Sequence, residues 1–139
     1  MDNNMVCETW DGVKNYKLLN LLEFDSTRKR MTVVVRTPQN KVLVICKGAD
    51  SIIEKRLKQG EQNLKRTQEF LDNYAKKGLR TLLIASKEIS EEEYSAWQKK
   101  YQVAVTSINK AAAINKLAEE LEVEFELIGS TAIEDKLQD

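Results

Sequence analysis

The sequence predicts an α+β domain of the broad α/β class: a mainly antiparallel sheet flanked by helices. Three observations carry this reading. The first half of the chain holds four short apolar or β-branched runs, at residues 5–10, 16–24, 31–36 and 41–47. Turn signals separate them: Asp11-Gly12 follows the first run, and Thr37-Pro38-Gln39-Asn40 lies between the last two, so antiparallel hairpins are the economical connection. Beyond Asp50 the apolar spacing changes to the helical period, and strand-like runs return at residues 79–86 and 125–128.

Taken in order, the four early runs form the start of a meander. Asp50 or Ser51 is placed to cap a short helix reaching about Leu57, closed by Gly60. A second helix follows, with Leu64, Leu71 and Tyr74 on one face; Lys76 and Lys77 suit its negative C-terminal end, and Gly78 supplies a left-handed cap. A strand over 79–86 comes next. Ser90 and Glu93 then form a capping box for a helix whose Tyr94, Trp97, Tyr101, Ala104 and Ile108 make a core stripe. Ile114, Leu117 and Leu121 mark a further amphipathic helix, and the last strand is expected to end at Gly129. The charged stretch 131–139 has no tertiary logic of its own and reads as a cut end, so the chain is expected to be a piece of a longer protein.

Composition narrows the chemistry. With 139 residues, one domain with a single core is expected. Lys plus Arg and Asp plus Glu number 22 each, so no global field draws in nucleic acid and anion binding has to be local. No apolar stretch approaches the ~20 residues of a membrane helix. The two cysteines, Cys7 and Cys46, are far apart and the chain has no histidine. Zinc-site spacings, a disulfide framework and histidine-based catalysis are thereby excluded.

Three places could hold a ligand. Phe24 precedes a dense basic turn, Arg28-Lys29-Arg30, where an aromatic face beside cations could stack a base and attract phosphates. Read alone, the same residues also fit a solvated hairpin with a core phenylalanine, and composition favours that plainer account. Lys47-Gly48-Ala49-Asp50 sets a lysine at a strand end beside two small residues, either for close approach of a ligand or as an ordinary strand-to-helix turn. Arg80 follows Gly78-Leu79, suited to a phosphate or to a surface ion pair. The acidic run Glu91-Glu92-Glu93 suits a first helical turn and is read as structural.

In combination and order, these segments resemble the nucleotide-binding domain of P-type ATPases, in the wording of the type IV branch, the phospholipid flippases. Residues 21–36 resemble the family's E-F-x-S-x-R-K-R-M-S-V-I-V-R; residues 47–50 its K-G-A-D; residues 78–82 its G-L-R-T-L; and residues 131–138 its T-A-I-E-D-K-L-Q. The resemblance implies an ATP site in which Phe24 stacks on adenine, Lys47 lines the adenine and ribose pocket, and Lys29 and Arg80 lie toward the phosphates. It implies ATP with Mg2+ as cofactors, no catalytic or metal-binding residue in this stretch, and no turnover by this chain alone. The phosphoryl group would pass to an aspartate of a D-K-T-G-T motif, absent from this sequence, in a phosphorylation domain. Residues 1–130 would be part of the nucleotide-binding domain, without an upstream acidic segment whose carboxylate contacts adenine, and 131–139 would begin the hinge toward the phosphorylation domain. The implied setting is a cytosolic domain of an integral membrane protein that works with phosphorylation and actuator domains, moves a phospholipid at membrane helices, and is itself monomeric as a piece. The alternatives are the nucleotide-binding domain of a cation-transporting P-type ATPase and a protein-interaction module with a core Phe24. Convergence of Phe24 and Arg80 on one cleft would separate the nucleotide readings from the last.

Overall fold

The computed structural model describes residues 4–9, 12–58 and 63–134, with side chains over 15–58 and 69–132. Six strands, β1 (Asn4–Thr9), β2 (Gly12–Leu22), β3 (Arg30–Arg36), β4 (Val42–Ala49), β5 (Leu79–Ile89) and β6 (Glu126–Glu134), lie side by side in chain order. Every neighbouring pair is antiparallel. Helices α1 (Asp50–Glu54) and α2 (Asn63–Lys76) connect β4 to β5, and α3 (Glu91–Val105) and α4 (Lys110–Leu121) connect β5 to β6. A mainly antiparallel sheet flanked by helices is therefore the observed fold, as the sequence predicts.

Strand alternation divides the sheet into two faces. Thr32, Cys46, Ala85 and Leu127 form one row across β3 to β6, and all four are buried. This face shares a single core with Ile53 of α1, Leu71 of α2, Trp97 of α3 and Leu117, Ala118 and Leu121 of α4. Each large apolar side chain so buried contributes roughly 1.5–3 kcal/mol. Trp97 stacks on Tyr101 at 5.2 Å and donates its indole N–H to the Leu117 carbonyl at 2.9 Å, which locks α3 to α4. On the opposite face Val33, Ile45, Lys47, Leu82 and Ile84 remain half-buried.

Several local signals act as read. Thr37 and Asn40 close the β3–β4 turn, with the Asn40 N–H donating to the Thr37 carbonyl at 2.9 Å. Gly78 has φ 76°, the left-handed value that ends α2. Ser90 Oγ accepts the Glu93 N–H at 3.1 Å, and the three glutamates occupy the first turn of α3.

Others are corrected. β2 starts at Gly12, opposite Thr9, and ends at Leu22, because the Asp25 side chain begins a turn by accepting the Thr27 and Arg28 amides. α1 is capped by Ala49 without a side-chain bond and stops at Glu54. Leu57 instead forms a bridge to Phe125, whose backbone binds Arg56 and Lys58. β5 continues to Ile89, paired with Val42. Ile108 is fully exposed, since α3 ends at Val105 and the chain turns before reaching it. β6 does not stop at Gly129 but runs to Glu134, since the first half of β5 needs a partner for its backbone groups. The readings on Trp10, Asp11, Gly60 and residues 135–139 lie outside the described residues, as does the side chain of Leu64.

Candidate functional site

In an antiparallel meander, even strands end where odd strands begin. The end of β2, the β2–β3 turn, the end of β4 and the start of β5 therefore gather at one end of the sheet. The predicted residues fall there. Phe24 lies two residues past β2 and is 61% exposed, so the core-phenylalanine account is wrong. Lys29 is exposed in the turn, and Lys47 is half-buried near the end of β4, cross-strand from Met31 and Ile84. Arg80 is exposed near the start of β5 and shares a face with Lys47, because it is an even number of residues from Ile84 on a regular strand. From Ile84 to Arg80 the strand covers roughly 13 Å, and from β3 to β5 two strand spacings amount to roughly 10 Å.

The basic turn divides its work in a way composition did not reveal. Arg28 and Arg30 are buried, and both point inward to the fully buried Glu122 just past α4. Arg28 donates Nη1 to Oε1 at 2.8 Å, and Arg30 donates Nε to Oε2 at 2.7 Å. Thr32 Oγ1 adds a bond to Oε2 at 2.8 Å, and Cys46 Sγ lies 3.6 Å from the same oxygen. Burial alone would raise the Glu122 pKa, but the hydrogen bonds from Arg28 and Arg30 outweigh it and hold the carboxyl below the ordinary range. Of the three basic residues, only Lys29 is exposed to meet a ligand. It has φ 56°, and its carbonyl accepts the Ala49 N–H at 3.2 Å.

That contact also explains Gly48. A Cβ there would stand 2.6 Å from Arg30 Cβ and 2.7 Å from the Lys29 carbonyl oxygen. The small residue admits the basic turn rather than a ligand, a correction to the reading of the Lys47-Gly48-Ala49 segment.

Sequence reasoning missed Glu122. Two signals pointed to it: a carboxylate at the C-terminal end of a helix, where the dipole disfavours negative charge, and the alternation Arg30, Thr32, Val34, which puts Arg30 on the core face. A separate groove of about 450 Å³ lies near Leu21, Arg28, Tyr101 and Ile114; Phe24, Lys47 and Arg80 do not line it. Among the described residues, no group of three or more His, Cys, Asp or Glu side chains could hold a metal ion, and no helix is long and apolar enough to cross a membrane.

This end of the sheet thus carries an exposed aromatic ring, Phe24, together with Lys29, Lys47 and Arg80. The sequence matches, over residues 3–139, the family described as P-type ATPase, cytoplasmic domain N. It is 46% identical over 127 residues to the human phospholipid-transporting ATPase IC, an overlap of 91% of this chain and 10% of that protein. It is 45% identical over 128 residues to phospholipid-transporting ATPase DNF1 of Chaetomium thermophilum, covering 90% of this chain and 8% of the relative. With phospholipid-transporting ATPase DRS2 of Saccharomyces cerevisiae it shares 46% identity over 128 residues, 91% of this chain and 9% of the relative. The chain belongs to the family of P-type ATPase cytoplasmic N domains. It spans about a tenth of the length of these relatives.

Proposed function

We propose that this chain is the ATP-holding domain of a phospholipid-translocating P-type ATPase, with residues from 131 onward, whose first part is still the end of β6 paired with β5, continuing toward a phosphorylation domain. The observation that carries the reading is the gathering of Phe24, Lys29, Lys47 and Arg80 at one end of the sheet, on segments otherwise far apart in sequence. Phe24 stacks on adenine. Lys47 lines the pocket for adenine and ribose, while Lys29 and Arg80 face the phosphates. The guanidinium supplies directional, paired hydrogen bonds and the ammonium groups supply charge, so the domain binds and orients without itself reacting. Mg2+ bound with the nucleotide would supply charge neutralisation at the phosphates, and no group of side chains among the described residues is placed to hold it. The γ-phosphoryl group would be presented to an aspartate of the phosphorylation domain, whose carboxylate oxygen bonds to the γ-phosphorus as the bond to the β–γ bridging oxygen breaks and ADP leaves; water then cleaves the resulting aspartyl phosphate to phosphate, and with the actuator domain this hydrolysis would couple to lipid movement at membrane helices. In this setting the domain lies on the cytosolic side of an integral membrane protein.

The test is an amide NMR titration of the 139-residue chain with ATP, alongside Phe24→Ala. Dissociation constants on the order of 0.1 to 1 mM, with shifts clustered around residues 24, 29, 47 and 80 and weakened in the variant, are expected. Saturating ATP that moves no amide in a folded sample sinks the reading for this chain.

A further inference from the structure

We infer that Glu122 is a positioning residue for the nucleotide site: buried behind the sheet, it holds the Arg28-Lys29-Arg30 turn so that Lys29 alone faces outward. This rests on the nucleotide reading above. Lys29 has φ 56°, a left-handed conformation that is uncommon and disfavoured for a lysine. The contacts that hold it lie on both sides of it. Arg28 and Arg30 both bind the Glu122 carboxylate, and Arg30 Nη1 also donates to the Arg28 carbonyl at 2.9 Å, so the two flanks of Lys29 are tied to one anion and to each other. The Lys29 N–H donates to the Asp25 carbonyl at 2.8 Å, and the Lys29 carbonyl accepts from Ala49, next to Lys47-Gly48. Glu122 is anchored in turn by Arg56 Nη1, which donates to its main-chain carbonyl at 3.1 Å. A single carboxylate on the far side of the sheet thus fixes the backbone shared by the Lys29 turn and the Lys47 strand.

An amide at this position keeps the shape but loses the charge, and its NH2 group, in place of either oxygen, is set against an arginine donor. The experiment compares Glu122→Gln with Ile89→Val, a core change at the other end of the sheet, in the whole chain. In Glu122→Gln, hydrogen exchange at the Lys29 and Ala49 amides is expected to speed up at least tenfold relative to the β3–β4 ladder, without nucleotide present. ATP binding is expected to weaken five- to twentyfold. Adding Lys29→Ala to Glu122→Gln is expected to cost no more than Lys29→Ala alone, because both act through the same ammonium group. Ile89→Val is expected to lower stability while leaving ATP affinity and these two amides unchanged. Wild-type exchange at Lys29 and Ala49 in a folded Glu122→Gln protein, or fully additive losses in the double variant, overturns the inference. If ATP shifts no amide even in wild type, the nucleotide reading and the site role both fall, and the exchange result alone decides whether Glu122 sets the turn. Should Glu122→Gln not fold, Thr32→Val removes only one hydroxyl donated to the same carboxylate and carries the same comparison at smaller amplitude.

Discussion

At the scale of single residues, the site depends on positions with little freedom to change. Gly48→Ala puts a methyl group against the Lys29 carbonyl and Arg30 Cβ, so it is expected to cost on the order of 1–3 kcal/mol in urea unfolding. Lys29→Gly has the opposite sign for stability. Relief of the left-handed strain adds about 1 kcal/mol, while loss of the ammonium weakens ATP binding in the same titration. Burial pushes the Cys46 thiol from its ordinary 9.0 up to about 11. The fold favours the neutral thiol, so its contribution is fully present below pH 9 and is lost as pH rises toward 11. Unfolding measured across that range should fall more steeply in wild type than in Cys46→Ala. The exposed Phe24 shows where composition misleads: a phenylalanine beside apolar residues reads as core until the Asp25 turn, which ends β2 at Leu22, is taken into account.

Between elements, the contact with most at stake joins α4 to the β2–β3 turn. Glu122→Ala leaves Arg28 and Arg30 buried without their carboxylate and is expected to cost about 3–5 kcal/mol by chemical denaturation. The folded-state pKa of Glu122 is depressed, so its contribution is present above the ordinary carboxylate pKa of 4.5 and is lost as pH falls below it. A Glu122→Gln variant should therefore show a shallower acid limb. Strands and hairpins were legible because alternation and turn chemistry are local. The Asp50 cap failed because Ala49 already takes the cap position, and the Gly129 stop failed because β6 answers to the open edge of β5. The Glu122 cluster was hidden because Glu122 stands 66 to 94 residues from its partners in sequence, and no local period reports such a pairing.

For the whole molecule, the meander is the feature that brings the predicted positions to one end of the sheet. Four motifs spread through the sequence were legible as a set because their order and spacing matched a known domain; that they share one end of a sheet became visible only when the strands were laid in register. The start of β1 and the end of β6 lie at that same end, on opposite edges of the sheet. This gives the domain a mechanical character. Tension applied beyond Glu134 loads the antiparallel ladder from its end, so hydrogen-bonded pairs part in succession rather than together. The first to open are Leu79–Glu134 and Arg80–Ile133, whereas the β3–β4 ladder beside Lys29 and Lys47 is shielded by β5. A pull on that side would be felt first at Arg80 on β5 and last at Phe24 beyond β2.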